Sequence, residues 1–278
     1  MKKTPITLIP FVVVASLVAA GGLSASAQTL ALQLQAVNYN PVTGAWLDSS
    51  GNNNNAQFLN GTTPTIDVGV TPALLSAVNI VGANASYGVG SHFQLNTAIS
   101  GASGYTVFAY IAPTADTGGS RFALTGGSAG GALEYNLYQG HQNWLFEYVG
   151  GGGPGTGTIP TDGSFSMVGV TASGLGGAFY LNGAADGTTS GGAFTSPITE
   201  IGNNEGGGDF FTGDIAEIDI YQGVLTSDQI ASVEATLTGE YITGTIPVTP
   251  VPEPTTLAML AGSFGLLFAA RRFGRKQA

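Results

Sequence analysis

Glycine sets the terms on which this chain can fold, because 44 of its 278 residues are glycine and they cut the apolar residues into short runs. A glycine inside a helix or strand costs about 0.5–1 kcal/mol relative to alanine, so the runs between glycines can form only brief elements. Ser, Thr and Asn fill much of the remaining space, and almost no 3.6-residue periodicity develops before residue 226. The pattern is that of antiparallel β structure with frequent turns. It predicts strands over 30–37, 105–112, 121–125, 133–138, 144–149, 165–172, 178–181 and 214–221.

Local signals sharpen several of these. Asn182-Gly183 follows Phe179-Tyr180-Leu181, and Asn-Gly readily takes the positive φ angles of a type I′ hairpin turn; the strand over 165–172 is expected to pair with this segment. Val107, Ala109 and Ile111 alternate with Phe108 and Tyr110, so both faces of that strand are apolar and it belongs in the middle of the fold, between two sheets. Gly150 to Gly153 are consecutive and predict a rim loop over 149–157 without regular structure. Thr226 and Gln229 form a capping-box pair ahead of Ile230, Val233 and Leu237, and Gly239 is placed to end that one amphipathic helix.

Both ends of the chain read as addresses. Lys2-Lys3, an apolar stretch and Ala25-Ser26-Ala27 are the three regions of a secretory signal over 1–27. At the other end Val251, Pro252, Glu253 and Pro254 precede the apolar run 257–270, which is followed by Arg271, Arg272, Arg275 and Lys276. The 16 residues from 255 to 270 fall short of the roughly 20 that span a bilayer comfortably, and a basic cluster after them stays on the cytoplasmic side. This three-part order resembles the PEP-CTERM sorting signal of bacterial surface proteins. The resemblance implies an exosortase-type processing enzyme as a partner, a transient membrane helix, and delivery to the cell surface, outer envelope or extracellular matrix; the alternative is an uncleaved anchor. Residues 243–250 then form a Pro/Thr linker.

Without its two ends the chain holds one basic residue, Arg121, against seventeen acidic ones, a formal charge of −16 over 28–254. Nucleic acid, bound chiefly through Lys and Arg on phosphates, is excluded as a partner. There is no cysteine, so an exported domain here is held by its packed core and not by disulfides.

Two separated motifs carry a second resemblance. Trp46-Leu47-Asp48-Ser49-Ser50-Gly51-Asn52 opens the domain, and Gly213-Asp214-Ile215-Ala216-Glu217-Ile218-Asp219-Ile220-Tyr221 precedes the helix. Together they resemble laminin-G-like, or concanavalin A-like, domains of bacterial surface proteins. The resemblance implies an all-β jelly-roll β-sandwich over 28–242 with one C-terminal amphipathic helix, and a non-enzymatic, glycan-binding or adhesive role on extracellular polysaccharide. A purely structural envelope protein is the alternative. In the first motif, Asp48 and Ser49 can cap their own turn and Gly51 can supply positive φ. Trp46 reads either as the anchor of that turn on the core or as a sugar-stacking platform; Trp144, sharing a strand face with Phe146 and Tyr148, is the other platform candidate.

The same architecture hosts laminarinase-like glycoside hydrolases, which carry an acidic strand of the form Glu-x-Asp-x-Glu. Glu217 and Asp219 match its first two positions, but Tyr221 or Gln222 stands where the proton donor belongs. Hydrolysis by this motif needs two carboxyl groups in distinct roles, so the motif is incomplete, and Ala216, Ile218 and Ile220 are expected on the opposite, buried face. His92 and His141 lack zinc-site spacing and read as surface or turn residues. Laminin-G-like domains often hold calcium at the rim, which makes Asp209 and Asp214, in the oxygen-rich stretch with Asn203, Asn204 and Glu205, the candidate ligands. No cofactor is otherwise required.

Overall fold

The computed structural model describes residues 28–81, 91–114, 121–125, 132–136, 144–147, 153–154, 163–173, 176–190, 197–202 and 210–245. Among the described residues sixteen strands precede one α-helix. The first ten are β1 (Thr29–Asn40), β2 (Ala45–Asp48), β3 (Ala56–Leu59), β4 (Thr65–Asp67), β5 (Ala77–Ile80), β6 (His92–Ile99), β7 (Tyr105–Pro113), β8 (Arg121–Thr125), β9 (Ala132–Asn136) and β10 (Trp144–Glu147). Then come β11 (Gly153–Pro154), β12 (Ser166–Ser173), β13 (Gly176–Leu181), β14 (Ala184–Ser190), β15 (Ile198–Ile201), β16 (Gly213–Gln222) and α1 (Ser227–Leu237).

One hydrogen-bonded path runs β11, β10, β9, β8, β15, β6, β3, β2, β1, β16, β7, β12, β13, β14, with β5 joined to β16 and β4 to β5. Every pairing is antiparallel. The path folds over at β1, whose first half pairs with β16 from Thr29 to Gln35 and whose second half pairs with β2 through Tyr39 and Asn40. Side chains of the two arms meet in a single apolar cluster that joins Trp46, Phe93, Leu95 and Ile201 to Val107, Val170, Phe179, Ile218 and Ile220. The result is a β-sandwich.

The β16–β7–β12 layer is covered on its other face too. Phe108, Tyr110, Met167 and Ala216 form a second cluster with Ile230, Val233 and Leu237 of α1. All nine residues of β7 are buried, as its two apolar faces require, although the strand lies within one sheet and its second face meets a helix in place of a second sheet. The helix starts with the expected capping box, Thr226 N–H donating to Gln229 Oε1 at 2.9 Å and Gln229 N–H to Thr226 Oγ1 at 3.4 Å. Gly239 does not end it. A π-helical turn, Thr238–Ile242, continues the chain and stacks Tyr241 on Tyr110 at a ring-centroid distance of 5.1 Å.

The Asn182-Gly183 turn joins β13 and β14 with φ values of 49° and 82°, and β12 pairs with β13 as expected. Two expectations change, and the open reading of Trp46 is decided. Gly153 and Pro154, placed in an irregular loop by sequence, pair with Phe146 and Leu145 of β10. His92 is a buried residue of β6, its ring 6.2 Å from that of Phe210, and not a surface or turn residue. Trp46 is fully buried, its indole N–H donating to Gln35 O at 2.8 Å and its ring edge-on to Tyr39 and Phe93; it anchors its turn and offers no face to a sugar.

One close approach fixes the spacing beneath the helix. A Cβ at Gly169 of β12 would lie 2.7 Å from Phe108 Cε1 and 3.2 Å from Tyr180 Cβ. Gly169→Ala should therefore push Phe108 into α1 and destabilise the fold by about 1–3 kcal/mol, measured as a lower thermal unfolding midpoint; an unchanged midpoint would refute this packing.

Candidate functional site

The turn after β2 is organised by one carboxylate. Asp48 Oδ1 accepts the backbone N–H groups of Gln33 at 3.0 Å and Ser50 at 2.8 Å, and Oδ2 accepts the Ser50 hydroxyl at 2.8 Å and the Asn54 N–H at 2.9 Å. Burial raises the Asp48 pKa, but these four bonds more than offset it and hold the carboxyl below its ordinary value. Gly51 sits at φ 90° as the motif suggests. The capping partner is Ser50, however, while the Ser49 hydroxyl accepts from Asn38 Nδ2 at 2.6 Å.

The asparagines that follow tie this turn to its neighbours. Asn54 takes the Thr97 N–H on Oδ1 at 2.8 Å and gives Nδ2 to Thr97 O at 2.9 Å, the two bonds a strand neighbour would make, and Asn52 Nδ2 donates to Leu30 O at 2.8 Å. Between them lies an open cleft of about 200 Å³ lined by Thr29, Ala31, Asn52, Asn54, Thr97, Ala98, Ile99 and Gln222. Thr29, Asn52 and Thr97 are exposed. Amide and hydroxyl groups share the lining with the apolar side chains of Ala31, Ala98 and Ile99, and it carries neither a carboxylate nor an aromatic ring. That volume is roughly seven waters' worth. The asparagine run was visible in the sequence, but its meeting with Thr97 and Gln222 depends on the ladders of β6 and β16.

Glu217 and Asp219 do share a face of β16, and that face lies beneath the helix. A shift of register between Ile215 and Glu217 also turns Ala216 to the helix side, against expectation, while Ile218 and Ile220 point into the sandwich. Glu217 is 1% exposed and Asp219 4%. Tyr241 Oη donates to Glu217 Oε2 at 2.6 Å, Gln33 Nε2 to Oε1 at 2.8 Å and Gln35 Nε2 to Oε2 at 3.3 Å. Asp219 Oδ1 has no hydrogen-bond partner. Tyr221, at the position of the missing proton donor, packs into the helix-side cluster.

Burial raises both carboxyl pKa values, and for Asp219 the Glu217 charge and the hydrogen bond to it raise the value further, well above the ordinary range. Asp219 is thus the member that retains the proton, and Glu217, surrounded by donors, is the anion. Glu240 in the π-helical turn joins the cluster through Gln35 Nε2 at 3.4 Å and is pushed up to about 7, first by burial and then by Glu217. The arrangement can hold the helix down; with its carboxyls closed off, it cannot reach a sugar.

Of the remaining candidates, Asp214 Oδ1 accepts from Asn79 Nδ2 at 2.9 Å, and its pKa is raised by burial and by the Asp67 charge. Calcium takes six to eight oxygens. Among the described residues no group of three or more His, Cys, Asp or Glu is placed to hold a metal ion. Asp209, and the sorting motif Val251 to Pro254 with its basic end, lie outside the described residues. So does the Trp144 side chain, although its backbone belongs to β10, opposite Tyr135. Among the described residues no helix is long and apolar enough to cross a membrane.

These shifts fix the sign of a pH dependence. An acid whose pKa is raised on folding adds stability that is complete below its unfolded value and is lost as pH rises through the folded value. For Glu240 that window runs from about 4.5 to about 7, and Asp219 shifts in the same direction. The unfolding midpoint should fall between pH 5 and pH 8. Asp219→Asn, which leaves a neutral donor beside Glu217, should flatten that fall and raise stability at pH 8 by about 1–3 kcal/mol; an unaltered slope in thermal melts would refute the shared-proton arrangement.

Comparisons with known proteins agree with this architecture. No curated protein matches the sequence. Domain 4 of AbnA, a GH43 extracellular arabinanase from Geobacillus stearothermophilus, in complex with arabinotriose, superposes with a TM-score of 0.56 at 16% identity, covering 74% of this chain and 98% of that one. A structure of botulinum neurotoxin type C, whose cell entry depends on interaction with two ganglioside molecules, gives 0.51 at 13% identity over 75% of this chain and 51% of the other. Trypanosoma rangeli sialidase with the inhibitor DANA gives 0.50 at 14%, over 74% and 32%. The chain therefore spans nearly all of the arabinanase domain but about half or less of the toxin and sialidase chains. At these identities the likeness is one of fold. Residues 87–231 match the laminin-G-type family of the concanavalin A-like lectin/glucanases superfamily, and with more than half its length matched the chain belongs to that family.

Proposed function

We propose that this protein is an exported, non-enzymatic surface or matrix protein whose sandwich binds extracellular polysaccharide at the cleft formed by Thr29, Asn52, Thr97 and Gln222. The observation that carries the reading is the cleft's chemistry: neutral hydroxyls and amides, open to solvent, on a fold of the lectin and glucanase type. Neutral polar groups suit the hydroxyls of an uncharged glycan, and a domain carrying −16 favours a neutral chain over an acidic one. The arabinotriose bound to the similar arabinanase domain makes neutral oligosaccharides the first ligands to try.

Export rests on the terminal segments. The secretory signal of 1–27 brings the chain across the membrane, the short span at 257–270 holds it there, and an exosortase-type enzyme acts near Val251, Pro252, Glu253 and Pro254, releasing the domain or attaching it to the surface. Intact mass of the native protein in fractionated cells should show loss of both ends. A full C-terminus retained in the membrane would leave the plain anchor as the correct reading.

For binding, calorimetric titration with arabinotriose and with short β-glucans should give saturable heat, and Thr97→Val combined with Gln222→Ala should weaken it at least tenfold with an unchanged melting temperature. Absence of heat with every neutral oligosaccharide would favour a structural envelope protein. Release of reducing sugar, lost in Glu217→Gln, would establish the hydrolase.

A further inference from the structure

We propose that the apolar loop 68–75, together with Ile242, is a membrane-resting surface that seats the folded domain on the lipid bilayer beside its own C-terminal segment. Five of the ten large hydrophobic side chains exposed among the described residues lie here: Val68, Val70, Leu74, Leu75 and Ile242, with Val68 80% and Leu74 76% exposed. Residues 68–75 contain no charged side chain. Apolar side chains gathered on one site, in place of being scattered singly, mark a contact surface.

The loop is built and not loose. Val70 N–H and Thr71 N–H both donate to Leu75 O, Leu74 N–H donates to Thr71 O at 2.8 Å, and Leu75 N–H donates to Thr71 Oγ1 at 2.9 Å. This closure holds Leu74 at φ 62°, a left-handed conformation that a leucine rarely adopts, and directs it to solvent. Strain of that kind persists only where the surrounding structure enforces it.

The loop's position says what covers it. Ala73 N–H donates to Tyr241 O at 3.0 Å, and a Cβ placed on Gly244 would lie 3.8 Å from the Ala73 Cβ. The apolar loop thus borders the point where the chain leaves the domain. Eleven residues, four of the last ten being proline if Pro247, Pro250, Pro252 and Pro254 are counted, separate Thr245 from the apolar run at Leu257. In extended form they reach about 35 Å, so once that run is in a bilayer the loop is confined close to the same surface. Tethering makes a contact too weak to hold alone effective through local concentration. The loop itself carries no charge on a strongly acidic domain, so an anionic bilayer would not repel it.

The inference rests on the reading that 257–270 enters the membrane, and the test separates the two. The chain has no cysteine, so single cysteines can be labelled with an environment-sensitive dye at Leu74→Cys, at Val42→Cys as an exposed position elsewhere, and at Leu266→Cys in the apolar run. The full chain is reconstituted into phosphatidylcholine vesicles containing spin-labelled lipid. The expected result is a blue shift and at least twofold quenching at 74 and 266, with neither at 42. Quenching at 266 with position 74 as wet as 42 would overturn the inference and keep the span. No quenching at 266 or 74 would remove both. A blue shift at 74 that persists without vesicles and grows with protein concentration would assign the loop to a second copy of this chain, and the lipid proposal would fall.

Discussion

Burial of the β16–β7–β12 layer on both faces is the constraint from which most of this structure follows. One face meets the other arm of the sandwich and the other meets α1, so strand residues here cannot rely on the usual alternation of apolar and solvated sides. β7 meets the demand with nine buried residues. β16 does not, since Glu217 and Asp219 are carried into the same layer. Removing a charge from water is expensive unless it is paired or neutralised, and the only basic residue between 4 and 270 is Arg121, in β8 on the other arm. Neutralisation falls to a retained proton on Asp219 and to the neutral donors Gln33, Gln35 and Tyr241 around Glu217. Tyr241 can make its bond only because the chain continues past α1 in a π-helical turn, so the acidic pair and the geometry of the helix end are one feature.

That coupling explains what was legible in the sequence. The strands with long apolar runs, β1, β7, β12 and β16, were readable from their residues, as were the Asn182-Gly183 turn and the capping box, because each is decided within a few positions. The strands β2 to β6 were not predicted. They are short and mix apolar residues with Thr, Asn, Gln and Ala, and what makes them strands is a partner far along the chain: Phe58 opposite Phe93, Asn79 opposite Asp214. Gly239 reads as a terminator, but Tyr241 reaching Glu217 on another strand keeps the chain coiled through it. The register shift beside Ala216 likewise leaves no local trace, and it decides which residues face the helix.

The candidate sites divide along the same line. Trp46 could be read as a core anchor or as a sugar platform, because an aromatic ring has the same chemistry in both; the closure of Tyr39 and Phe93 around it decides for the core. The acidic strand had the spacing of catalytic carboxylates, and spacing along one strand says nothing about whether a helix lies over it. Asp48, by contrast, was readable as a turn organiser, because its acceptors serve residues mostly within six positions.

Where the carboxylates stand bears directly on binding against hydrolysis. Glycoside hydrolysis by the usual routes requires two carboxyl groups flanking the scissile bond, about 5–5.5 Å apart with retention and wider with inversion. The open cleft presents threonine hydroxyls and asparagine and glutamine amides, without a carboxyl group in its lining. The nearest acid in the sequence of that turn, Asp48, has both oxygens committed to four hydrogen bonds from the turn and from Gln33. Glu217 and Asp219, which match only the first two positions of the acidic motif, are closed beneath Tyr241 and α1. Among the described residues the hydroxyls and amides of the cleft face solvent, while Asp48, Glu217 and Asp219 are engaged in holding the fold, and the proposed binding role rests on that division.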